Sequence, residues 1–134
     1  MKLRDLEASF MAHEARAPNA ESRALNPQWS PDYRQDWFIT VDTFAEAHGL
    51  KFLCPKSFAA NGGAKGAHFI IVWFSGKPVP PHIGRNKAGK IVRWQASGTS
   101  LDDLILTPSI QEEDDLCKWH GFVGSGGIPQ GEAA

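Results

Sequence analysis

The stretch His68-Phe69-Ile70-Ile71-Val72-Trp73-Phe74 decides the fold, because it is the clearest strand in the chain. It is apolar almost throughout, and its β-branched and aromatic residues favour an extended backbone. A continuous apolar run bounded by turn residues is typical of a strand that is covered on both faces. We therefore expect residues 68–74 to form a central strand of the domain.

Further strand-like segments lie on both sides of this run, separated by glycine and proline turn signals. They cover residues 37–41, 50–53, 91–96, 101–107 (which we expect Pro108 to end) and 122–123. Residues 42–49 predict a short helix, with Thr43 and Glu46 as a capping box and Gly49 at its end. The pattern predicts a mainly β (α+β) fold, a small β-sandwich or curved mixed sheet of five to six strands with one or two short helices.

The N-terminal 36 residues differ from the rest in pattern. Leu3, Leu6 and Phe10 fall on one face at helical spacing, which predicts an amphipathic helix within residues 1–17. Residues 18–36 are polar and punctuated by proline. We expect three parts: an extended N-terminal arm (1–36), a β-rich core domain (37–128) and a polar tail (129–134).

Composition excludes several functional classes. The 134 residues are 42% hydrophobic, 22% charged and carry a net charge of −1, as in an ordinary globular domain. That balance predicts no bulk attraction to nucleic acid or to an anionic membrane. We found no apolar run long enough to span a bilayer and no signal-peptide pattern, so we expect a cytosolic protein.

Charge is segregated along the sequence. A basic stretch contains Lys77, Arg85, Lys87, Lys90 and Arg93. An acidic cluster contains Glu112, Glu113, Asp114 and Asp115. Two solvated loops that balance each other explain this pattern. We favour this explanation, and the alternative is a pair of complementary faces that join neighbouring copies in an assembly.

Two cysteines and two histidines form the candidate site. Cys117 and His120 stand in a C-x-x-H arrangement, which brings a thiolate and an imidazole near enough to share one metal ion. Cys54 is the obvious third ligand, and His68 is the natural fourth because it begins the strand after the Cys54 loop. Four protein ligands leave no open position for substrate, so this would be a structural zinc site.

The same residues have plainer interpretations. Free cysteine is among the most buried residue types, so Cys54 and Cys117 also fit a packed core beside a satisfied histidine. A disulfide or a catalytic thiol remains as a further alternative, although a cytosolic protein rarely keeps a disulfide. The other histidines, His13, His48 and His82, are predicted to lie on the surface.

Catalytic motifs are incomplete in this sequence. The stretch Cys117-Lys118-Trp119-His120-Gly121-Phe122 is similar to the second box of a Rieske iron–sulfur site. A Rieske cluster needs a second Cys and His pair, which residues 95–101 do not contain. The zinc-protease, deaminase, nucleophile-elbow and phosphate-loop motifs are also missing. We therefore expect a protein that is not an enzyme.

Several stretches together resemble a family of small uncharacterised tailed-phage and prophage proteins, some of them labelled ammonia monooxygenase. They are Phe52-Leu53-Cys54-Pro55-Lys56-Ser57-Phe58, Asn61-Gly62-Gly63, Gly66, His68, Trp73-Phe74, residues 97–104 and 106–110, and Cys117-Lys118-Trp119-His120-Gly121-Phe122-Val123. The family's first box is C-P-x-C, and Ser57 stands where its second cysteine is expected. The resemblance implies zinc held by three cysteines and one histidine. In this chain either His68 replaces the missing thiolate or the site is held by packing alone.

The resemblance also implies a role. We expect a phage-encoded, non-enzymatic structural or assembly protein, a virion component that stabilises the capsid, decorates it or associates with the connector. Its partners would be other virion proteins or copies of itself, and it would pass from the host cytoplasm into the virion. The alternative is a small intracellular zinc-binding phage accessory protein that binds a host protein.

Overall fold

A computed structural model describes residues 1–112 and 117–129. The fold is mainly β, as predicted: seven strands form two antiparallel sheets, accompanied by two short α-helices. The elements in chain order are a 3₁₀ helix (Leu3–Leu6), β1 (Ser9–Arg16), α1 (Ala20–Leu25), β2 (Gln35–Val41), β3 (Gly49–Leu53), α2 (Pro55–Asn61), β4 (Phe69–Trp73), β5 (Gln95–Ser97), β6 (Ile105–Gln111) and β7 (His120–Val123). Within the described ranges, no helix has the length and apolar character needed to cross a bilayer.

The first sheet has the strand order β2-β1-β3-β4, and the second has the order β5-β6-β7. Buried side chains of both sheets belong to one hydrophobic core, in which Trp119 and Phe52 are the largest fully buried residues. Their rings meet edge to face, with centroids 5.9 Å apart. Because aromatic side chains bury large areas and favour this geometry, the pair contributes strongly to holding the two sheets together.

The first half of the predicted arm is part of the core. Residues 9–16 form β1, which lies between β2 and β3, and a 3₁₀ helix at Leu3–Leu6 stands in place of the amphipathic helix predicted within residues 1–17. Four consecutive residues of β1, from Phe10 to His13, are buried, as expected for a central strand. Leu3 and Leu6, whose spacing predicted a helix face, are fully buried in the 3₁₀ helix. The boundary predicted at residue 36 therefore does not separate an arm from the core.

Residues 68–74 form a strand, but not a central one. β4 lies at the edge of the first sheet, and its burial alternates: Ile70 and Val72 are buried whereas Phe69 and Ile71 are each 44% exposed. The apolar run was misinterpreted because its outward side chains are apolar too. An exposed apolar edge strand is a place where another chain can pair.

Two further local predictions were wrong. Residues 42–48 form turns and bends rather than a helix, although Thr43 Oγ1 accepts the Glu46 N–H at 3.3 Å as a capping residue does. Pro108 does not end the strand: β6 continues through it to Gln111, with a pairing irregularity between Leu106 and Ile110. A proline is tolerated at such an irregularity because no ladder hydrogen bond is required of it.

The two ends of the described chain pair with each other. Lys2 forms an antiparallel bridge with Gly127, Leu3 N–H donates to Gly126 O at 2.9 Å, and Ile128 N–H donates to Met1 O at 2.7 Å. These bonds fix the 3₁₀ helix against the segment that follows β7. Leu3, Leu6 and Ile128 therefore belong to one core, and the tail predicted for 129–134 lies outside the described residues beyond Pro129.

Gly49 is required by close packing across β3. A Cβ atom there would lie 2.6 Å from Val72 O and 2.8 Å from Trp73 Cε3. The Trp73 ring thus lies over Gly49 and reaches Phe38, with ring centroids 5.5 Å apart. At Gly124, by contrast, a Cβ atom would meet nothing within 4 Å.

We expect Gly49→Ala to destabilise the fold by about 1–3 kcal/mol, the usual cost of overpacking a filled site. Gly124→Ala is the matched control and should change the free energy of unfolding by less than about 1 kcal/mol. Urea unfolding followed by circular dichroism measures both. Equal effects of the two substitutions would contradict the packing that we describe around Trp73.

Candidate metal centre

Four side chains from both sheets meet at one place. Cys54, His68, Glu112 and Cys117 each offer one ligand atom, and these atoms all lie within 4.8 Å of one another. Cys54 and Cys117 are buried, whereas the other two are partly exposed. The structure thus brings together three of the four predicted ligands, Cys54, His68 and Cys117, and adds Glu112 from the acidic cluster.

Cys54 is positioned at the junction of β3 and α2. Pro55 begins the helix, where its missing N–H costs nothing, and Gly62 ends it in the left-handed conformation. Cys54 N–H donates to His68 O at 2.8 Å, and Cys54 O accepts from Phe58 N–H at 2.9 Å. The first of these bonds fixes the start of β4 beside Cys54, so the thiol and the imidazole come together.

The other half of the centre lies between β6 and β7. Glu112 follows β6, and its N–H donates to Trp119 O at 2.7 Å. Cys117 precedes Trp119, and the residue between them, Lys118, adopts a left-handed backbone conformation at φ 53°. The adjacent residues Glu113, Asp114 and Asp115 of the predicted acidic cluster lie outside the described residues.

The two sulfur atoms are close. Cys54 Sγ lies 2.9 Å from Cys117 Sγ, and both cysteines are free thiols. A disulfide bond measures about 2.05 Å, so the two sulfurs are in contact without being bonded. Both remain available as ligands of one metal ion.

The imidazole and the carboxylate are also in contact. His68 Nε2 lies 2.8 Å and 2.9 Å from the two Glu112 carboxylate oxygens. On the other side of the ring, His68 Nδ1 lies 3.4 Å from Ser57 Oγ. Ser57 therefore touches the ring of His68. A hydroxyl in that position can fix which ring nitrogen faces a metal ion.

Burial raises the pKa of the Cys54 thiol from its ordinary value of 9.0 to about 11, with the Cys117 contact as the next cause. A thiol with this pKa is almost entirely protonated at neutral pH. Because the thiolate is the nucleophile, Cys54 is a poor catalytic residue in this state. A divalent metal ion would displace the proton and bind the thiolate directly.

His120 does not join the cluster. Its Nε2 lies 2.8 Å from Oγ of Ser109, a residue of β6, the strand that pairs with β7. Along residues 117–123 burial alternates, with Cys117, Trp119, Gly121 and Val123 buried, and His120 is on the other face. The C-x-x-H spacing suits a turn or a helix, whereas in an extended segment it places the thiol and the imidazole on opposite sides.

The remaining histidines were predicted to lie on the surface, and one of them does not. His13 is 7% exposed, and its Nε2 lies 2.7 Å from Asp36 Oδ1. His82, which is exposed, contacts the other Asp36 oxygen at 2.7 Å, and these two contacts hold the pKa of Asp36 below its usual value. His48 is partly buried and accepts the His13 backbone N–H. This group links the loop containing His82 to the first sheet.

We expect both thiols of the reduced, metal-free protein to resist alkylation. At pH 8 a pKa of about 11 in place of 9.0 lowers the thiolate fraction of Cys54 about 100-fold, and burial adds a steric barrier. Iodoacetamide labelling with peptide mass mapping measures each cysteine separately, and the urea-unfolded protein is the control. Equal labelling rates in the folded and unfolded states would contradict the buried arrangement.

Comparison with known proteins adds no relative: no protein-family model matches the chain, and neither a curated protein nor a solved structure does.

Proposed function

We propose that this chain is a non-enzymatic binding and assembly protein whose fold is clamped by one structural zinc ion. The observation that carries the proposal is the Cys54, His68, Glu112 and Cys117 cluster, whose ligand atoms converge within 4.8 Å. Two thiolates, an imidazole and a carboxylate are all established zinc ligands. Four protein ligands complete a tetrahedral set and leave no position for a substrate.

The location of the cluster supports a structural role. Cys54 and His68 flank α2 beside the first sheet, while Glu112 and Cys117 lie between the strands of the second. An ion held by all four would therefore join the two sheets. Since a structural zinc ion binds the folded chain and not the unfolded one, its binding free energy becomes folding free energy.

The choice of metal follows from the donor set. Two sulfur ligands favour a soft or borderline ion such as zinc over calcium or magnesium, which prefer oxygen. Ser57 supports His68 from the side of the ring that faces away from Glu112. The missing family cysteine is therefore compensated, in this proposal, by Glu112 as the fourth ligand, with Ser57 in an orienting role.

The phage context supplies the proposed setting. The stretches around Cys54 and Cys117 resemble tailed-phage proteins, and the buried thiols with the raised pKa of Cys54 favour a structural over a catalytic use of the cluster. We place the protein in the virion, where it would stabilise the capsid, decorate it or associate with the connector. A zinc-binding accessory protein that binds a host protein is the second candidate, favoured by the same metal cluster.

We expect the purified protein to contain about one zinc ion per chain, measured by elemental mass spectrometry. Cys117→Ser and Glu112→Gln should each remove or strongly weaken this zinc, because each deletes one ligand. Removing zinc by a chelator should lower the melting temperature, and adding it at about 100 times its Kd should restore roughly 2.7 kcal/mol.

The matched variants are His120→Gln and Ser57→Ala. His120→Gln should keep full zinc content, because His120 contacts Ser109 and not the cluster. Ser57→Ala should keep one zinc ion but bind it about 10- to 100-fold more weakly, the usual cost of removing a group that orients a ligand. A wild-type protein that neither contains zinc nor is stabilised by it would refute the zinc clamp.

The proposed setting has its own test. Quantitative proteomics of purified particles of a phage that encodes this chain should find it in many copies per particle. Detection only in infected cells, bound to a host protein, would overturn the virion assignment and support the accessory role. This outcome is independent of the zinc content.

A further inference from the structure

The outer edge of β4 has free backbone groups. Strand pairing alternates, and the bonds from Cys54 N–H to His68 O and from Phe74 N–H to His48 O show which residues face β3. The N–H and C=O groups of residues 69, 71 and 73 consequently point away from β3. Trp73 O accepts Trp94 N–H at 3.0 Å, whereas Ile71 has no backbone partner on that side within the described parts of the chain.

A second strand edge borders the same space. β5 pairs only with residues 105–107 of β6, so residues 108–111 have no strand beside them on that side among the described residues. Glu112 N–H donates to Trp119 O and so faces β7, which directs the backbone groups of the preceding residue, Gln111, the other way. Trp94 occupies one position at this edge, where its indole N–H donates to Ser109 O at 3.3 Å.

A cavity of about 410 Å³ lies at these two edges. Its apolar walls include Ile71, Trp73 and Trp94, and Arg85 and Gln111 also border it. The volume falls within the range of about 300–1,000 Å³ found for ligand sites. A cavity bounded by two strand edges can take a peptide backbone as well as a side chain.

The charge at the cavity is positive. Arg85 lines the cavity, and no carboxylate is among the lining residues. Arg93 lies close enough to Arg85 that the repulsion between them contributes to lowering the pKa of Arg93. Burial is the larger cause of that lowered pKa. An acidic group in the occupant would offset this repulsion.

We propose that the free edge of β4 and this cavity bind an extended peptide segment of a partner protein. The peptide would add as a strand to β4, place an apolar side chain between Trp73 and Trp94, and set an acidic side chain beside Arg85. Backbone hydrogen bonds would supply affinity and the cavity would supply specificity, as in other cases of strand addition. The inference deepens the proposed binding role and does not depend on zinc.

A displayed library of random heptapeptides, selected on the wild-type protein and counter-selected on Ile71→Pro, tests the proposal. Proline at residue 71 removes an N–H that faces away from β3, so an edge strand tolerates it while losing the donor that the peptide needs. Ile71→Thr keeps the donor and is the matched control. Circular dichroism and melting curves check that both variants remain folded.

The expected result is enrichment of peptides that alternate apolar residues and contain Asp or Glu. A synthetic copy of the best peptide should bind wild type and Ile71→Thr within about threefold of each other, and Ile71→Pro at least 10-fold more weakly. Replacing its acidic residue by Lys should weaken binding to wild type, and Arg85→Glu should reverse that preference. Tryptophan fluorescence measures binding, because Trp73 and Trp94 line the cavity.

A second measurement keeps the proposal falsifiable if Ile71→Pro does not fold. Methylating alternate backbone nitrogens of the same peptide should abolish its binding to the wild-type protein, since strand addition needs those N–H groups. No enrichment on wild type, or equal binding by the methylated peptide, would overturn the proposal. So would a zinc-independent dimer in sedimentation that Ile71→Pro dissolves, because β4 would then pair with a second copy.

Discussion

The contact between Cys54 and Cys117 is the constraint on which the rest of this structure depends. Cys54 ends the segment that contains β3, and Cys117 precedes β7, so residues 63 apart in sequence meet where the two sheets meet. Both side chains are buried within the same core as Phe52 and Trp119. Any group that links the two sulfurs therefore also fixes how one sheet lies against the other.

Chemistry limits what can occupy such a place. Two thiols, an imidazole and a carboxylate gathered at the edge of a hydrophobic core are costly unless their polar atoms are paired. His68 and Glu112 pair with each other, Ser57 contacts the remaining ring nitrogen, and the Cys54 sulfur contacts the Cys117 sulfur and hydrogen-bonds with Ser57. A metal ion would bind the sulfur, nitrogen and oxygen atoms of this cluster at once. A core held by packing alone would not need ionisable side chains at these four positions. The cluster could therefore hold a metal ion.

The residue types at the centre could be predicted from the sequence better than their geometry. Cys54, His68 and Cys117 were identified because cysteine and histidine are rare and chemically specific. Glu112 could not be distinguished from the three acidic residues that follow it, because a carboxylate in a charged run is usually solvated. The only available signal was its position between the last strand-like stretch and Cys117. His120 was wrongly predicted as a ligand, because side chains three residues apart in an extended segment lie on opposite faces and Cys117 faces the cluster.

The fold could be predicted at the level of class and not of topology. Turn residues and β-branched runs indicated most of the strands, since these signals are local. The central position of β1 could not be inferred, because Leu3, Leu6 and Phe10 have the spacing of one helix face. In the structure Leu3 and Leu6 lie in the 3₁₀ helix and Phe10 lies in β1. Which strand lies at the edge of a sheet depends on pairing between distant residues, so a local sequence pattern does not predict it. β4 shows this plainly, since its outward residues are as apolar as its inward ones.

The pairing of residues 1–3 with residues 126–128 has a consequence for how the chain acquires its structure. Leu3 and Leu6 cannot reach their final environment until residue 128 has been synthesised, so the core cannot close before then. Cys54 likewise cannot make its contact with Cys117 until Cys117 has been synthesised. Contacts of such long sequence separation make folding slow, and they leave apolar strands exposed to aggregation in the interval. For this chain the segment around residues 126–128 completes the environment of residues that were synthesised more than a hundred positions earlier.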